Sequence, residues 1–123
     1  MPTGERGFAY ARASGKVLLA FDSPERLEVM LKRGSLRART ANTITQPARL
    51  EAEIEEVHRQ GYAVDQAEYI DGVCCVAAPI TENGGFSRYC LAVLVPAIRF
   101  AGEKDMLIES VTTVASEVRV WST

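Results

Sequence analysis

Two apolar runs separated by a polar turn constrain this chain more than any other feature. Gly72-Val73-Cys74-Cys75-Val76-Ala77-Ala78-Pro79-Ile80 and Tyr89-Cys90-Leu91-Ala92-Val93-Leu94-Val95-Pro96 are each about the length of one strand. Asn83-Gly84 lies between them, and Asn-Gly accepts the positive φ angles of a tight hairpin turn. The two runs are therefore expected to pair antiparallel. The second shows no polar alternation, which predicts a strand covered on both faces or nearly so. Before them, Tyr62 to Val64 reads as a short strand, followed by the lone carboxylate of Asp65 and a polar loop to Asp71. A polar group beside so much apolar surface has a partner in the fold or takes one from outside.

The flanking segments read as helices. Residues 1–9 carry two glycines and a proline and form a lead-in. Ser14 is placed to cap a helix whose apolar face is Val17, Leu18 and Phe21. Ser23-Pro24 starts a second, with Leu27, Met30 and Leu31 inward and Gly34 as its stop. Residues 35–46 have no clean period and read as a connecting loop. Pro47 opens a third helix with Leu50, Ile54 and Val57 on its apolar face, its glutamates mostly on the solvated side, and Gly61 at its end. After Pro96, Leu107, Val111, Val114, Val118 and Trp121 share one helical face, with Ile108 and Ala115 beside it. Helices, an antiparallel hairpin and a covering helix make an α+β layout in a single domain. Two long strands and a short one are a thin sheet with an exposed ladder. Residues 1–11 add a strand, a partner chain does, or the chain is part of a larger domain.

Charge and composition narrow the function classes. A net charge of -2 gives no basic footprint, which argues against this chain gripping a nucleic-acid backbone by itself. No apolar run reaches membrane-spanning length. Three cysteines without paired spacing do not form a disulfide framework, so a reduced, cytoplasmic setting is expected. Cys74, Cys75 and Cys90 are near one another across the hairpin, but adjacent strand residues point to opposite faces, which disfavours a metal set. Cys75 reads as a small buried hydrophobe, and the single histidine, His58, as half-exposed and inert. No catalytic constellation is visible, and no cofactor, metal or enzymatic activity is expected.

Taken together, several short motifs resemble the effector-binding domain of the IclR family of bacterial transcriptional regulators. They are Ala13-Ser14-Gly15-Lys16 followed by Val-Leu-Leu-Ala, Thr43-Ile44-Thr45 before Pro47, and Gly61-Tyr62-Ala63-Val64-Asp65 with Glu68. Gly72 with Cys75, Ala77-Ala78-Pro79, and Pro96 complete the set. Their order and spacing fit from about Tyr10 to Trp121. The resemblance implies a profilin- or GAF-like antiparallel sheet packed with helices, here over residues 10–123 and lacking the family's earliest strands. It also implies a partner architecture in which a winged helix-turn-helix domain, for which this chain has no room, reads the DNA.

Carried over by resemblance, the effector pocket includes Ala13, Ser14 and Gly15 at the helix start, Asp65 after the short strand, Val73 and Cys75 on the first hairpin strand, and Ala92 and Leu94 on the second. Val73 and Cys75 are two apart and so share a face, as do Ala92 and Leu94. The family's Ser-x-Ser-Gly-Pro is replaced here by Ala92-Val93-Leu94-Val95-Pro96. Loss of both hydroxyls makes the pocket more apolar and implies a bulkier, relatively apolar organic acid, or no effector. Ser14-Gly15-Lys16 stays open between a helix cap with a solvent-facing lysine and an anion-binding helix start. Asp65 stays open between a turn residue bonding its own backbone and a ligand-facing group, the resemblance favouring the latter. The expected function is small-molecule sensing that shifts the arrangement of a homo-oligomer, a dimer or tetramer. The rival is an interaction protein that pairs with a full-length regulator and binds no effector.

Overall fold

A computed structural model describes residues 8–22, 24–32, 36–82 and 87–118. A short 3-10 turn at residues 8–11 leads into α1 (Ala13–Phe21), α2 (Pro24–Lys32) and α3 (Pro47–Gln60). Strands β1 (Ala63–Gln66), β2 (Val73–Ile80) and β3 (Tyr89–Pro96) follow, and α4 (Ala97–Glu117) closes the described chain. The fold is thus α+β, with one antiparallel sheet in the order β1-β2-β3. Asn83-Gly84, Ser23, Gly34 and Trp121 lie outside the described residues.

The pleat of β2 sorts the sheet into two faces. Cys75 and Ala77 pack with Ala13 and Val17 of α1, Val57 of α3 and Ala63 of β1. Cys74, Val76 and Ala78 pack on the other side against Phe100, Val111 and Ala115 of α4. The adjacent cysteines therefore serve opposite layers. A third cluster joins the 3-10 turn, α1, α2 and α3 through Tyr10, Leu19, Met30, Leu50 and Ile54. Leu27 and Leu31 pack against it as their spacing predicts. Gly61 ends α3 at φ 88°, the left-handed conformation for which glycine carries no Cβ penalty.

Several expectations are corrected. No side chain caps α1: Arg12 is its N-cap residue, and Ser14 already lies inside the first turn. The buried face of α1 is Ala13, Lys16, Val17 and Leu19, so Lys16 is not solvent-facing and Leu18 is only partly covered. β1 runs to Gln66, placing Asp65 in the strand rather than after it. Residues 8–11 form a 3-10 turn and add no strand. β3 is not covered on both faces: it is the last strand of the sheet, and Tyr89 and Leu94 are exposed. The central strand β2 takes the burial instead. In α4 the inward face is Phe100, Leu107, Ile108, Val111 and Ala115, while Val114 and Val118 are exposed. The helix starts directly after Pro96, and packing from Phe100 onward fixes its rotation.

Candidate functional site

Sheet register and the start of α1 build one small cavity. β1 and β2 pair Asp65 with Cys75, and β2 and β3 pair Cys75 with Leu94, so these three residues form a row across the sheet on the α1 face. Ala77 and Ala92 form the neighbouring pair. α1 crosses this face, with Lys16 N donating to Arg12 O at 2.9 Å as its first i to i−4 bond. The N–H groups of Ala13, Ser14 and Gly15 precede that bond and have no partner within the helix. Between helix and sheet lies a cavity of about 90 Å³, lined by Ala13, Ser14, Asp65, Val73, Cys75, Ala92 and Leu94, together with Arg12, Tyr69 and Ile70.

Seven of the eight residues singled out in the sequence thus converge on this cavity. Gly15 does not line it. It faces a separate cleft of about 360 Å³ between α1 and α2, lined also by Ala9, Leu18, Val29 and Met30. Sequence reasoning missed Arg12, Tyr69 and Ile70. Arg12 immediately precedes the Ala13-Ser14-Gly15-Lys16 motif, but nothing local marks it. Tyr69 and Ile70 belong to a loop read only as polar.

Asp65 combines both of its sequence readings. Its Oδ1 accepts from Glu68 N at 2.6 Å, closing the turn after β1, and it also lines the cavity. Burial raises its pKa to about 6, the bond from the Glu68 N–H opposes that, and the Glu68 carboxylate adds to it. The same burial pushes the Cys75 thiol up to about 11, with the Asp65 charge assisting. A thiol so far from ionising is a wall, not a nucleophile.

Behind this wall stands a buried ionic cluster. Lys16 Nζ donates to Glu68 Oε1 at 2.7 Å, Glu53 Oε2 at 2.9 Å and Val64 O at 3.0 Å. Glu68 Oε2 accepts from Gln66 N at 3.1 Å. Thr43 Oγ1 accepts from Arg39 N and Thr40 N, each at 3.0 Å, and donates to Glu68 O. Lys16 and Thr43 therefore fasten the 65–68 turn and are not free to meet a ligand. The solvent-facing lysine is thereby corrected, because the Lys16 charge is spent on two carboxylates.

The antiparallel sheet, with α1 and α3 on one face and α4 on the other, is the fold of the C-terminal regulatory domain of bacterial transcriptional regulators. The family described as "Bacterial transcriptional regulator IclR C-terminal" matches residues 1–120, and the chain belongs to it. Curated relatives are helix-turn-helix regulators. BhcR of Paracoccus denitrificans is 33% identical over 89% of this chain and 41% of its own length. KdgR of Escherichia coli is 32% identical over 82% of this chain and 38% of its own length. The chain thus spans about two fifths of those relatives. Among solved structures, the IclR protein of Thermotoga maritima superposes with a TM-score of 0.76 at 36% identity, over 89% of this chain and 44% of that one. The C-terminal domain of E. coli KdgR gives 0.73 at 29% identity, over 87% and 65%. No described helix is long and apolar enough to cross a membrane.

Proposed function

We propose that this domain senses a small organic acid in the cavity between α1 and the sheet. The observation that carries the reading is the convergence of Ala13, Ser14, Asp65, Val73, Cys75, Ala92 and Leu94, from four separate elements, on one space. The open N–H groups at the start of α1 favour an anion. The cavity volume favours a small one. An apolar cavity of about 150 Å³ accepts benzene, and this one is smaller. A compact aliphatic acid fits better than the bulky effector that the loss of the family's hydroxyls implies.

Ligand binding would bias two arrangements of a homo-oligomer through its differential affinity for them. DNA contact would then belong to another part of the regulator, and the setting would be the cytoplasm. A second reading is pairing with a full-length regulator without an effector. It is favoured by Leu94, 64% exposed on the last strand of the sheet.

One experiment separates them. The chain is melted against a panel of small organic acids, beside Asp65→Asn. A ligand at a hundredfold over its dissociation constant stabilises by about 2.7 kcal/mol, a readily visible rise in midpoint. A rise whose size the variant changes supports sensing in this cavity. A well-folded chain that responds to no acid, yet associates with a regulator, supports pairing.

A further inference from the structure

The cavity lining carries a charge that no carboxylate among the described residues pairs with. Arg12 is exposed, sits at the N-cap of α1 with extended backbone, and lines the cavity. Its guanidinium rests over the Tyr69 ring, 4.5 Å from the centroid, and it forms no ion pair among the described residues. Tyr69 is also stacked by Arg39, at 4.4 Å. Its position is fixed from outside the cavity, and it gives Arg12 a platform.

A guanidinium held over an aromatic face keeps its N–H donors free at the edge. Two of them match the oxygens of a carboxylate in bidentate geometry, a charge-assisted contact that is short and directional. Little else in the lining competes for a ligand's charge. Val73, Ala92 and Leu94 are apolar, the Cys75 thiol is held neutral, and Lys16 is occupied. The remaining ionisable group is Asp65, and in so small a cavity it repels a second carboxylate.

We propose that Arg12 sets the charge specificity of this cavity: it binds the carboxylate of a small monoanion while Tyr69 holds the guanidinium in place. This rests on the sensing role proposed above. A guanidinium that only covered Tyr69 would have no effect on which ligands bind.

The test is calorimetric titration of the full chain with propionate, its uncharged isostere propionamide, and malonate. Propionate is expected to bind at least tenfold more tightly than propionamide, and more tightly than malonate. Arg12→Gln should bring the propionate-to-propionamide ratio below about threefold, chiefly by weakening propionate. Arg12→Lys should recover part of the ratio, and Tyr69→Leu should weaken propionate selectively. Arg12→Gln should keep the wild-type melting midpoint, because the side chain is exposed. A wild-type ratio in Arg12→Gln overturns the assignment and leaves sensing intact. A wild-type chain that binds no small carboxylate removes sensing, and this assignment with it.

Discussion

Lys16 Nζ stands 2.7 Å from Glu68 Oε1, with the lysine side chain wholly out of solvent. One ammonium from α1 thereby holds a carboxylate of the turn after β1, a carboxylate of α3 and the Val64 carbonyl of β1. Three elements, of which β1 and the turn after it border the cavity, are fixed by a single side chain. Two carboxylates on one ammonium leave an excess negative charge, which Glu53 shares with water, since its side chain is 34% exposed. Such a cluster rigidifies when complete and is costly when broken.

Lys16→Met is therefore expected to destabilise the domain by about 3 kcal/mol or more, because Glu68 is left buried and unpaired. Urea unfolding measures it. Adding Glu68→Gln should recover part of the loss. A single variant within about 1 kcal/mol of wild type would show that the cluster contributes far less than its geometry suggests.

Gly15 offers a prediction opposite in sign to the usual rule. Within a helix, alanine ordinarily exceeds glycine by about 0.5–1 kcal/mol. Here a Cβ would lie 2.1 Å from Ala9 O and 2.6 Å from Ala9 Cα. Those are backbone atoms of the preceding turn, which cannot rotate away. Gly15→Ala should cost roughly 2 kcal/mol as overpacking and lower the melting midpoint. A raised midpoint would refute the close approach.

Asp65 should make stability depend on pH in a defined direction. Its folded pKa is about 6, above the ordinary carboxylate value, so the folded state holds its proton more tightly than the unfolded state does. The contribution to stability is therefore largest below the unfolded pKa of about 4, falls as pH rises towards 6, and is level beyond. Asp65→Asn keeps an oxygen for the Glu68 N–H and abolishes the titration. The difference in unfolding free energy, wild type minus variant, should decline between these limits. A difference that rises with pH would mean that Asp65 is held ionised.

Much of this domain could be read from local pattern. The strand-length apolar runs at 73–80 and 89–96 are β2 and β3, and the stripe of Leu50, Ile54 and Val57 faces inward. Two-residue spacing put Val73 with Cys75, and Ala92 with Leu94, on shared faces, and the resemblance supplied most of the residues around the cavity. Periodicity states which residues share a face. It does not state what that face meets, which is why α4 is rotated from its expected face and why β3 is exposed where it looked covered.

What the sequence alone determined is thus the set of elements, their order, the family and the neighbourhood of the cavity, because these follow from backbone periods and short motifs. The tertiary structure decided the fate of the charges. Lys16 can be fully buried only because its partners arrive from 37 and 52 residues away. Arg12 gains its place over Tyr69 only once α1 and the loop after β1 are packed together. Gly15 faces the backbone of Ala9 and the cleft between α1 and α2, not the cavity. Desolvation and ion pairing depend on distances in space, and no spacing along the chain encodes them.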